Sequence, residues 1–161
     1  MTQKLFNECE NVDAEHQRRL FDQYKLYVEL TDRISQRRST ANSFFVTANA
    51  ALLAVTSWFQ EDFGYHTYFI SAIGVALALF WFFCIRSYGQ LNSGRFKVIH
   101  EIERQLLLNL FLYEWQILER GKRFKTYWPL SHVERVIPLI FIVLYVALSL
   151  MYFLSAMIDC K

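Results

Sequence analysis

Three stretches of the chain are long, apolar and free of Lys, Arg, Asp and Glu: Ser43–Phe59, Tyr65–Ile85 and Val136–Ile158. About 20 residues of helix cross the hydrocarbon of a bilayer, so the pattern predicts three transmembrane helices. Outside them the pattern changes. Leu20, Tyr24, Tyr27, Thr31 and Ile34 recur at alternating spacings of four and three, one face of an amphipathic helix. Gln17, Arg18, Asp22, Lys25, Asp32 and Arg33 fill much of the remaining surface. No Pro or Gly separates this stripe from the first apolar stretch, so one helix is expected from about Asp13 to Phe59.

The second apolar stretch continues in the same way. Val98, Ile99, Ile102 and Leu106 form a helical stripe, with Leu91 one heptad before Val98. Lys97 and Glu101, and Glu101 and Arg104, have the spacings of solvated ion pairs along a helix. Gly89 and Gly94 are positions where this helix could kink or admit a close neighbour. The two polar extensions prolong the arms of one transmembrane hairpin and should be antiparallel neighbours. "LYEWQILERGKRFKTYW" predicts a short helix ending near Gly121 as its C-cap. In "WPLSHVER", Ser131 and Glu134 match the S-x-x-E capping box, marking the start of the third membrane helix, which Pro138 could kink.

The expected fold class is therefore all-α: an integral membrane protein with three transmembrane helices and long cytoplasmic helical extensions. Four segments follow: 1–42, a cytoplasmic amphipathic helix; 43–85, a transmembrane hairpin; 86–135, a cytoplasmic helical segment; and 136–161, the third membrane helix with a short external tail. Charge sets the orientation. The link "QEDFGYHT" has no Lys or Arg, whereas Arg33, Arg37, Arg38, Arg86, Arg95, Lys97, "RGKRFK" and Arg135 flank the other membrane ends. The positive-inside rule places the N-terminus and the middle segment inside and the C-terminus outside.

Composition narrows the classes further. A chain of 161 residues suggests one domain, and 54% apolar residues beside 20% charged ones must be segregated. A net charge of +2 argues against a nucleic-acid partner. Cys9, Cys84 and Cys160 form no CxxC pair, which argues against a disulfide framework or a zinc knuckle.

Candidate chemistry is sparse. "HEIE" at His100–Glu103 is not H-E-x-x-H, and no phosphate loop or nucleophile elbow is present. No catalytic residue, metal site or cofactor is expected, and the chain is not expected to be an enzyme. Tyr88, Asn92, Arg95, His100 and Glu103 are polar groups on a helix that need only be amphipathic. They form either a ligand or partner site between the cytoplasmic extensions or hydrogen bonds between helices. In the membrane, Ser43, Thr47, Ala50, Ala54 and Ser57 share one face of the first helix, beside a stripe of Asn42, Asn49 and Thr56. Thr67, Ser71, Gly74 and Ala78 repeat the small-residue pattern on the second, and Tyr145, Ser149, Tyr152 and Ala156 share a face of the third. Small residues allow close helix approach and polar ones bond between helices. These faces pack either within one protomer or between protomers, around a pore.

The order polar helix, two membrane helices, polar helix resembles the SLATT-type proteins, small bacterial membrane proteins found with nucleotide-signalling and phage-defence genes. The resemblance rests on "YKLYVELTDRISQRRSTANSFF" and "RSYGQLNSGRFKVIHEIE" and covers roughly Phe21 to Leu108. This chain departs from it by adding a third membrane helix and by lacking a recognisable nucleotide-sensing domain. The resemblance implies a homo-oligomeric effector of the bacterial inner membrane that perturbs lipid or forms a pore in defence or stress. Its trigger would be a cytoplasmic protein or a nucleotide signal. Two other classes remain open: a non-conducting scaffold that recruits a cytoplasmic partner, and a small intramembrane enzyme or transporter.

Overall fold

The computed structural model describes residues 14–58, 66–119 and 130–159. These form four helices: α1 (Ala14–Trp58), α2 (His66–Glu103), α3 (Leu110–Ile117) and α4 (Leu130–Asp159). The described residues contain no strand. As expected from the lack of helix breakers, α1 is unbroken for 45 residues. α2 is unbroken for 38, and it passes through Gly89 and Gly94 with nothing within 4 Å of where a side chain would begin. The chain divides into two compact units, one built from Met1–Gln36 and Gly89–Pro129, the other from Arg37–Tyr88 and Leu130–Lys161.

The first unit is an antiparallel pairing of α1 with α2. Leu20 and Tyr24 are buried against Ile99 and Ile102, and Tyr27, Val28, Phe96, Val98, Leu106 and Phe111 close round them. These are the expected stripes, with one exception: Leu91 is exposed and takes no part. The opposite faces carry ion pairs one turn apart, such as Arg33–Glu29 at 2.7 Å and Arg104–Glu101 at 3.0 Å. Exposed pairs of this kind contribute little individually and keep that surface soluble. α3 ends before the expected cap: Glu119 takes φ 50, the left-handed turn of a helix C-terminus, and Gly121 lies outside the described residues.

The second unit is a bundle of α1, α2 and α4. Its centre is aromatic. The ring of Trp81 stacks on Phe45 at 5.8 Å and meets Phe141 at 6.0 Å. Trp81, Tyr145 and Pro138 are among its largest fully buried side chains. Ser71, Gly74 and Ala78 of α2 are buried with them, the small face against which the Tyr145 ring lies. α4 continues through Pro138, whose ring removes the amide that would otherwise bond the carbonyl of Glu134.

Among the described residues, two helices are long and apolar enough to cross a membrane: His66–Glu103 and, within α4, Val133–Ile158. A core helix of a soluble protein would be mostly buried, yet only 11% of the most apolar window of the second is buried inside the chain. Phe69, Phe80, Phe83, Val143, Val146, Leu150, Met151 and Phe153 all point outward. Such a surface is suited to lipid. The stretch expected as the first span is helical to Trp58 but does not reach the same measure of length and apolarity.

Glycine positions test this packing. A side chain at Gly74 would run into the Tyr145 ring, so Gly74→Leu should lower stability by about 1–3 kcal/mol, the usual cost of overpacking. Gly94→Ala, with open space around it, should raise stability by about 0.5–1 kcal/mol. Thermal unfolding in mild detergent reads both; equal effects would contradict the packing.

Candidate functional site

In the first unit the polar groups converge on Glu103. Its side chain is fully buried at the C-terminus of α2. Oε1 accepts the Tyr24 hydroxyl at 3.1 Å and the amide of Phe111 at 2.8 Å; Oε2 accepts the amide of Leu112 at 3.2 Å. The first amides of a helix lack intrahelical partners, and Asn109, at the N-cap of α3, makes no side-chain cap bond. Glu103 therefore caps α3 from the preceding helix, and its charge suits the positive end of the helix dipole. Burial first, then the hydrogen bond and charge of Glu103, push the Tyr24 phenol up to about 12 from 10.0.

The other expected ligand residues divide between the two units. Tyr88 belongs to the second unit and is half-buried; Asn92, Arg95 and His100 belong to the first and are half-buried too. Arg95 lies over the Tyr27 ring at 5.9 Å, and His100 packs beside Phe96. Asn92 Oδ1 and Arg95 Nη1 are shielded from solvent without a hydrogen-bond partner.

In the second unit, polar groups on one stripe of α1 each meet a partner on another helix. Arg38 faces Glu134 of α4 at 3.5 Å, both side chains largely buried. Asn42 Oδ1 accepts the indole N–H of Trp81 at 3.0 Å. Asn49 is fully buried; its Nδ2 donates to the Phe45 carbonyl at 2.8 Å, and the Tyr145 hydroxyl donates to the Asn49 carbonyl at 3.1 Å, with Oδ1 at 3.3 Å. Asn49 is thus satisfied inside one chain and needs neither a neighbouring copy nor a water-filled lumen. Of the small residues, Ser71, Gly74 and Ala78 are enclosed, whereas Thr47, Ala50 and Ala54 are exposed. At the proposed capping box the helix already includes Leu130, Glu134 faces Arg38, and the Ser131 side chain lies outside the described residues.

Several of these contacts carry a sequence signal. A Trp amid apolar residues needs a partner for its indole N–H, and Asn42 lies on the neighbouring helix α1. Arg38 and Glu134 both flank apolar stretches. The capping of α3 by Glu103 has no local motif, since the amides it accepts lie eight and nine residues further on.

The fold and its outward-facing apolar helices define a helical membrane protein. The octameric membrane protein family (8xMP) matches residues 21–154, and the chain belongs to that family. The match takes in most of α4, to residue 154, the helix by which the chain departs from the SLATT-type organisation. Neither the search of curated proteins nor that of solved structures found a match.

Glu103→Ala would leave a buried hydroxyl and two amides without their acceptor, at a cost of about 1–3 kcal/mol for each group that stays buried and unpaired. Hydrogen exchange should quicken at Phe111 and Leu112 while α4 keeps its protection; unchanged exchange there would rule out the cap. The raised pKa of Tyr24 makes a second prediction. A phenol whose folded pKa exceeds its unfolded 10.0 adds stability that is whole below pH 10.0 and is lost as pH rises through about 12. Between those values the melting temperature should fall more steeply for the native chain than for Tyr24→Phe.

Proposed function

We propose that the chain forms a homo-octamer in the bacterial cytoplasmic membrane. Each copy crosses three times, with the N-terminus inside and the C-terminus outside. It acts without enzymatic chemistry, as a membrane-disturbing or pore-forming effector in defence or stress signalling. The observation that carries this reading is the family match over most of the chain. The distribution of Lys and Arg supports the orientation, and the SLATT-like order of the first helices supports the defence role.

Orientation restricts the symmetry. Copies that all share one orientation cannot be related by two-fold axes lying in the membrane plane, which removes dihedral arrangements. The remaining closed form for eight copies is a cyclic ring, in which each copy presents one face to one neighbour and a different face to the other. Eight equal bodies in a ring enclose an opening roughly 1.6 times the width of one body. With helices about 10 Å across, a three-helix bundle is roughly 20 Å wide, and the opening is roughly 30 Å. Lipid or water must fill it. The exposed face of Ser43, Thr47, Ala50 and Ala54 is small and mildly polar, and supports a water-filled or narrowing lumen.

A second reading has its own observation. Asn49 is enclosed, and the outward faces of α2 and α4 are apolar. A ring lined by such faces would hold lipid, conduct nothing and serve as a scaffold for a cytoplasmic partner.

Native mass measurement from lipid nanodiscs should give eight copies of the 19.2-kDa chain. Reconstituted liposomes should release a trapped small dye, and Ala54→Leu should reduce that release severalfold. An octamer that releases nothing selects the scaffold; a monomeric native chain removes both readings.

A further inference from the structure

The Arg38–Glu134 pair between α1 and α4 is loosely made. Arg38 Nε stands 3.5 Å from Glu134 Oε2, and the two side chains are only 16% and 12% exposed. Both atoms are shielded from solvent, yet neither makes a hydrogen bond. The loss of water around two buried charges is offset only where their geometry is close and their polar atoms are hydrogen-bonded. An apolar pair of similar volume would often be the more stable choice at such a place. Four residues further on, Pro138 leaves the Glu134 carbonyl without its helical amide. Proline is also where a helix bends most readily. The weak ion pair and the weak point of the helix thus fall on the same residue, Glu134.

α4 is thinly embedded. Only 11% of its most apolar window is buried, against 28% for that of α2. Ile137 and Phe141 pack on the aromatic centre, Tyr145 lies against Gly74, and the Tyr152 ring meets Tyr68 at 5.0 Å. Behind this helix lie buried polar groups. The Tyr145 hydroxyl covers Asn49. Ser71, one turn before Gly74 on the same face of α2, is 2% exposed, and its hydroxyl has no hydrogen-bond partner. A shielded hydroxyl without a partner is costly, and water would satisfy it.

We infer that α4 is a gate: the Arg38–Glu134 pair latches it against α1, and when the pair parts, α4 bends at Pro138 and admits water to Asn49 and Ser71. The inference rests on the pore-forming reading above and gives that reading its closed state. Among the described residues of this unit, the shielded side-chain atoms without a hydrogen bond are Arg38 Nε, Glu134 Oε2 and Ser71 Oγ. Opening hydrates all three and gives up the packing of Tyr145. That balance makes a two-state element of the kind a signal can bias.

Ser71→Cys, in a chain whose Cys9, Cys84 and Cys160 are replaced by Ser, reads the opening in proteoliposomes. The probe is a charged, water-soluble methanethiosulfonate, which reacts where water reaches the thiol. With Arg38 and Glu134 in place the reaction should be slow. Arg38→Gln should quicken it at least tenfold, and the charge swap Arg38→Glu with Glu134→Arg should return it to the slow rate. Pro138→Ala restores a helical hydrogen bond and should slow the reaction of the Arg38→Gln chain. Circular dichroism checks that the helices persist. Equal rates with and without Arg38→Gln overturn the latch. So does a fast rate that neither the swap nor Pro138→Ala slows. Dye release from the same liposomes separates this inference from the reading beneath it. Release that rises severalfold with Arg38→Gln supports both; a quickened reaction at Ser71→Cys without any release keeps the latch and removes the pore.

Discussion

A polar side chain among membrane helices must find its hydrogen bonds inside the protein, because hydrocarbon offers none. The second unit is arranged round that constraint. Tyr145 reaches across from α4 to the side chain and backbone of Asn49, and the Trp81 indole reaches from α2 to Asn42. Such bonds average only about 0.6 kcal/mol each in membranes, so their importance lies in position more than in strength. For Tyr145 to arrive at Asn49 its ring must cross the face of α2, and Gly74 leaves the room for it. With the polar stripe of α1 enclosed, the surfaces left to lipid on α2 and α4 are almost wholly apolar.

The first unit solves a similar problem with a charge. Glu103 ends α2, and its carboxylate gathers a tyrosine hydroxyl and two backbone amides at once. Removing the carboxylate would orphan all three groups. Keeping it ties the start of α3 to the end of α2 and leaves the rest of α3 unburied.

The helices themselves were legible in the residues. Charge-free apolar length marked the parts of α2 and α4 that are long and apolar enough to cross a membrane, and the absence of Gly and Pro marked α1 as one rod from about Asp13, found from Ala14 to Trp58. The stripes through Leu20 and Tyr24 and through Ile99 and Ile102 foretold their antiparallel packing. The direction of each face was not legible. α1 has a small stripe beside a polar stripe, and α2 has a small stripe of the same kind. Whether each turns inward depends on Tyr145, 71 residues from Gly74 along the chain, and no local pattern reports that encounter. Glu103 was expected in a ligand site or in hydrogen bonds between helices; it bonds Tyr24 of α1, whereas its capping of α3 had no local pattern to report it.

Membership of the octameric membrane protein family supports the proposed ring of copies in one orientation. The measurement that bears on this most directly is electron-microscope imaging of the assembly in lipid nanodiscs, viewed down the membrane normal. The account predicts eight equal densities related by a 45° rotation, with all cytoplasmic projections on one side. Copies projecting on both sides, or two-fold axes in the membrane plane, would contradict it.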